Sequence, residues 1–237
     1  MADRKAWREW ALSGREWNSR PEQTAPVSPM PPILRRRADP GDRIGLEVAF
    51  RLAPSGTDLP SVFASRHGQV TRSTAMLQAQ AAGDMASPMD FSLSVHNAAA
   101  GQYSVAKGDR SQSSSLSSRG EAFTAALLEA QGLVDEGHDR VLAVMSDLMP
   151  PEVFRGGWDH EPAGYALGLV LGAFGGEAFE LSLWQEDGEE DGQKDGETEA
   201  GTETAWPQAL VFLKALAGDA ESATWRRGGR RWDWTRA

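Results

Sequence analysis

The chain has 237 residues, 40% apolar and 24% charged, a balance that suits one main globular domain with a real core. It contains no cysteine, which excludes a disulfide, a thiolate metal site and a thiol nucleophile whatever the fold. The formal net charge of −10 is mostly local, because Glu186 to Glu203 carries nine acidic residues and one lysine.

The first 32 residues read as a Trp/Pro-rich lead-in, with five prolines between 18 and 32. The start of the chain is charged rather than signal-like, and no apolar run reaches the ~18 residues needed to span a bilayer, so a cytoplasmic protein without a membrane span is expected. A folded domain is expected over 33–185. Ile44, Leu46, Val48, Ala49 and Leu52 predict a short amphipathic helix over 42–52, and Ser61 to Ser65 predicts a compact strand. Helices are expected at 71–82 and at 95–107, the latter stopped by Gly108. Ser118 followed three residues later by Glu121 has the pattern of a capping box, opening a helix through Phe123, Leu127, Leu128 and Leu133.

Arg140 to Met145 is nearly all apolar, as expected of a strand buried between two helical layers. Tyr165 to Phe174 and Ala178 to Trp184 flank Gly175 and Gly176 and predict a hairpin on the same sheet. The Gly- and Glu-rich block at 186–204 cannot bury enough apolar surface to offset its ordering entropy and reads as a disordered surface loop. In the last segment, 205–237, Pro207 to Ala217 predicts a short helix, and Trp225, Trp232 and Trp234 around Gly228-Gly229 predict a hairpin. The arginines of that tail do not suffice to predict nucleic-acid binding.

Little in these elements points to self-contained catalysis. His67 and His96 invite an acid–base role, and a hydrolase pairing one of them with a serine is one alternative. A degenerate interaction module is another. No metal-ligand spacing and no phosphate loop is present, so no cofactor is expected.

The strongest motif lies between Pro88 and Ala130. Pro88, Asn97, Ala99, Ala100, Gly101, Ser104, Val105 and Gly108 match, without a gap, the pattern of a proline, an apolar stretch, Asn-x-Ala-Ala-Gly and Ser-Ile-x-x-Gly. The segment thereby resembles the N-terminal half of β-ketoacyl synthases, with weaker likeness at Ser61 to Leu77 and Arg140 to Asp147. The resemblance covers about 35–150. It implies an α/β thiolase-like half fold, layered α/β/α, with a truncated C-terminal part.

Continued without a gap, the family's Val-Ser-Thr-Ala-Cys falls on Leu116, Ser117, Ser118, Arg119 and Gly120, so glycine stands at the nucleophile position. Only His138 and His160 lie downstream, neither in the family's histidine contexts. The resemblance therefore implies a non-catalytic, chain-length-factor-like subunit of the aryl-polyene type that forms a heterodimer with a full-length β-ketoacyl synthase. Acyl carrier protein would be reached through that complex. The implied partner interface comprises Asn97, Gly101, Gln102, Ser113, Ser114, Ser115, Leu116 and Ser117, within an interface strand at 112–117. The implied acyl-tunnel residues are Phe91, Leu93, Val95 and His96.

Overall fold

In the computed structural model, residues 4–13, 25–85, 87–157, 164–185, 204 and 206–237 are described. The acidic block 186–203 and His160 lie outside them. In chain order the elements are α1 (Arg4–Leu12), α2 (Pro32–Arg35), α3 (Pro40–Leu52), β1 (Ser61–Ala64), α4 (Val70–Ala81), α5 (Pro88–Ser92) and α6 (Ala98–Lys107). Then come β2 (Ser113–Leu116), α7 (Ala122–Asp135), β3 (Arg140–Asp147), β4 (Tyr165–Gly172), β5 (Phe179–Gln185), α8 (Gln208–Ala217), β6 (Ser222–Arg227) and β7 (Arg230–Arg236). They divide into two compact units, Trp17–Gly175 and Met1–Glu16 with Gly176–Ala237.

The larger unit is built on a four-stranded sheet of order β2-β1-β3-β4, in which β2 and β3 run parallel to β1 and β4 runs antiparallel to β3. Because side chains alternate along a strand, Phe63, Leu142 and Val144 share one face, where they join Leu46, Ala49 and Phe50 of α3 and Ala100 and Tyr103 of α6 in a single buried cluster. The opposite face carries Val62, Val141, Ala143 and Met145 and is covered by α7 through Phe123, Ala126, Ala130 and Leu133. Coverage on both faces explains why β3 reads as a continuous apolar run, and it produces the expected α/β/α layering.

Three expectations differ from the structure. The helix at 95–107 begins at Ala98, and a separate short α5 precedes it, because Ser87 caps that first turn by accepting the Asp90 N–H. Ser118 makes no side-chain cap; a 3₁₀ turn at Arg119–Glu121 intervenes, in which the Glu121 N–H donates to the Ser118 carbonyl at 2.7 Å, and α7 opens only at Ala122. Nor do β4 and β5 pair with each other. Gly175 and Gly176 do take positive φ, but β4 spends its backbone groups on all eight residues of β3, while β5 pairs with β7 in a second sheet.

The smaller unit holds that sheet, of order β5-β7-β6. Gly228 and Gly229 at φ 54° and 71° form the tight β6–β7 turn, whose left-handed backbone matches the twist of paired strands. The register then places Trp225 opposite Trp232, and both are buried together with Trp234. Phe212 of α8 meets Trp234 at 5.9 Å between ring centroids, and the Trp225 indole N–H donates to the Trp206 carbonyl at 3.0 Å. The tail tryptophans are therefore core residues of this unit.

Candidate functional site

Two features converge where the parallel strands end. The first is the turn from β2 into α7. Gly120 occupies the middle of the 3₁₀ turn directly before Ala122, so its backbone lies at the positive end of the α7 dipole, where an anion or a thiolate would be favoured. With hydrogen for a side chain, it presents no nucleophile there.

The second is a polar cavity of about 50 Å³ at the carboxyl ends of β1 and β3, lined in part by Asp42, Ser65, Gln69, His96 and Asp147. Asp42 lies in the buried phase of α3, with Leu46 and Ala49 on the same face, and its carboxylate accepts from Gln69 Nε2 at 2.6 Å and Gln102 Nε2 at 3.1 Å. Burial, reinforced by repulsion from Asp39, pushes its pKa up to about 7. Asp147 accepts the Arg66 N–H at 2.8 Å and the Tyr165 O–H at 3.1 Å, and burial pushes it up to about 6. The Ser117 hydroxyl donates to the Arg66 carbonyl at 2.7 Å, tying this loop to the end of β2.

Ser65 Oγ accepts the Gly68 N–H at 2.8 Å and lies 2.9 Å from His96 Nε2. Burial pushes the His96 pKa down, which favours the neutral ring, and in the tautomer protonated at Nδ1 the Nε2 atom accepts a hydrogen bond from the serine hydroxyl. Among the described residues no carboxylate hydrogen-bonds to His96, and a space of this size admits a few waters but no acyl group. The pair closes a loop rather than forming a relay. Gly68 has φ 53°, and a Cβ there would lie 2.4 Å from His96 Cδ2. Gly68→Ala should therefore cost roughly 2 to 4 kcal/mol, the sum of left-handed strain and overpacking, measurable as a lower urea midpoint. His67, the other histidine of the hydrolase alternative, is exposed, and His138 sits at the far end of β3.

The family model described as β-ketoacyl synthase, N-terminal domain, matches residues 7–235. The chain belongs to this family. The match runs well beyond the 35–150 legible by motif and takes in the tryptophan-rich smaller unit. Among solved structures, a chain from the complex of the ketosynthase ApeO with its chain length factor ApeC, from Xenorhabdus doucetiae, is similar at 25% identity and TM-score 0.82, covering 100% of this chain and 94% of that one. The ishigamide ketosynthase/chain length factor is similar at 13% identity and TM-score 0.53, over 66% of this chain and 51% of that chain, a likeness of fold alone. No curated protein matches the chain. The fold is thiolase-like, and no helix among the described residues is long and apolar enough to cross a membrane.

Against that family frame the expected β-ketoacyl-synthase-type residues separate into groups. Ser113 to Leu116 form β2, the strand expected over 112–117, and it lies at one edge of the sheet. Asn97, Gly101 and Val105 recur at four-residue spacing on α6 and are exposed, so they share one open face. Gln102 does not: it is buried, and its amide is committed to Asp42. Phe91 is 67% and Val95 46% exposed, whereas His96 turns inward to Ser65. The buried cluster of Asp42, Gln69 and Asp147 was not anticipated. Its one signal was Asp42, an acid in the apolar phase of α3.

Proposed function

We propose that this protein is a non-catalytic, chain-length-factor-like subunit that pairs with an active β-ketoacyl synthase in the cytoplasm and limits acyl or polyene elongation on acyl carrier protein. The observation that carries the reading is Gly120 at the head of α7, immediately after an edge strand whose outer side pairs with no strand among the described residues. A cysteine-free chain cannot form the acyl thioester on which family condensation depends, so its contribution comes through association and shape. The likeness to a chain from a ketosynthase–chain length factor complex supports the same reading.

Pairing would run through β2. Ser61 and Ser65 donate their N–H groups to the carbonyls of Gln112 and Leu116, so in this parallel ladder the even-numbered residues face β1. The backbone groups of Ser113, Ser115 and Ser117 then turn outward, where a partner strand gains main-chain hydrogen bonds. Exposed Val105 on α6 and Leu128 on α7 offer apolar contact on either side of that strand. Asn97 and Gly101 complete the α6 side.

Phe91, Leu93 and Val95 follow α4 and lie largely outside this chain's own core, free to wall a cavity contributed by a partner. His96, turned to Ser65, would position them rather than touch an acyl group. Coexpression with a candidate ketosynthase tests the reading: the two should co-purify, and Phe91→Ala should lengthen the product by at least one extension unit, read by mass spectrometry. Absence of a complex together with unchanged product lengths would remove the proposal. Turnover by the purified chain alone, abolished by His96→Ala, would assign it instead to a hydrolase.

A further inference from the structure

Strand pairing makes no use of the carboxylate buried at Asp42. That side chain is 3% exposed, it forms no ion pair with a lysine or arginine among the described residues, and both its oxygens accept amide N–H groups. Directing Nε2 of Gln69 and of Gln102 at the carboxylate commits the donor ends of both amides. Their carbonyl oxygens, Gln69 Oε1 and Gln102 Oε1, are left buried without a donor. Both glutamines are more than nine-tenths buried, and Gln69 lines the same cavity as Asp39 and Asp42. The cluster is thus rich in hard oxygen acceptors, and the nearby Arg72 guanidinium donates to the Asp90 carboxylate and the Arg37 carbonyl rather than to Asp42. Buried carboxylates are ordinarily paired with a cation or a metal.

We propose that this cavity binds one small monovalent cation of the sodium or potassium class, ligated by the Asp42 carboxylate and Gln69 Oε1. An ion supplies what a water cannot, a positive charge, and oxygen-only ligation suits alkali ions. Its volume of about 50 Å³ holds an ion with little accompanying water. Divalent ions fit worse, since among the described residues no group of three carboxylate or histidine side chains is placed to hold one. The ion would tie α3 to the loop after β1 and, through Gln102, to α6. This assignment stands independently of whether the protein pairs with a ketosynthase.

The test compares thermal unfolding of the full chain at pH 8 in potassium, sodium and choline chloride at equal ionic strength. Choline is too large for the cavity. The midpoint should rise by about 3 °C or more in potassium or sodium over choline, as mass action on a native-state site requires. Gln69→Leu, which keeps the volume and removes Oε1, should erase that difference while retaining the native circular dichroism spectrum. Asp42→Asn should do the same, and if it fails to fold, Gln69→Leu alone decides. Crystals soaked in thallium(I), a monovalent probe, should show an anomalous peak beside Asp42. Equal midpoints in all three salts, or a cation effect that survives Gln69→Leu, would overturn the assignment.

Discussion

Proline at position 115 should abolish co-purification with a ketosynthase while leaving the chain folded. The N–H of Ser115 points away from β1, so its loss removes nothing from the resident sheet, and proline is tolerated on an edge strand. Toward a partner strand, the same change deletes a donor and sets a pyrrolidine ring in the path of the incoming backbone. A loss of about 3 kcal/mol corresponds to an affinity weaker by roughly 100-fold or more, enough to empty an affinity pull-down. Proline at 114 supplies the contrast. The Ser114 backbone faces β1, and its hydroxyl donates to Glu129 Oε1 at 2.7 Å, so Ser114→Pro should lower the melting temperature of the isolated chain. If Ser115→Pro leaves the complex intact by size-exclusion chromatography, pairing does not use the β2 edge.

Asp42→Asn should change how stability depends on pH. The native carboxyl has its pKa raised from 3.8 to about 7, chiefly by burial and then by Asp39, so the folded state holds this proton more tightly than the unfolded chain does. With that sign, its contribution is fully present below about pH 4 and is lost as pH rises through about 7. The loss amounts to roughly 3 to 4 kcal/mol. Asp147, raised to about 6, acts in the same direction. The wild-type chain in choline buffer should therefore unfold at lower urea at pH 8 than at pH 5. In Asp42→Asn the gap should shrink by most of the Asp42 share, with Asp147 supplying the remainder. An unchanged gap would show that Asp42 stays ionised throughout, in contact with solvent.

Much of the larger unit was legible because its signals are local. The left-handed stop at Gly108, the apolar run of β3 and the Asn97 to Gly101 motif each depend on residues within a turn or two of one another. The β6–β7 hairpin was legible for the same reason, since Gly228-Gly229 sets both its turn and its register. The supposed β4–β5 hairpin carried an equally good local signal in Gly175-Gly176 and was still misleading. Turn chemistry permits a reversal, but backbone partners from distant chain decide which strands pair. At Ser118 the serine and glutamate had cap spacing, yet the 3₁₀ turn satisfied the Glu121 N–H from the backbone carbonyl first.

The site divides along the same line. By itself, the amino-acid sequence determined that no thiol chemistry is available, which follows from composition, and it carried the family resemblance from which Gly120 is expected at the nucleophile position beside the strand at 112–117, which rests on spacing within a continuous segment. Only the tertiary structure decided that β2 is an edge strand, that Gln102 faces inward, and that Asp42, Gln69 and His96 gather around one cavity. Edges, burial and electrostatic neighbours are properties of segments brought together from far along the chain, and short-range patterning does not encode which segments those are.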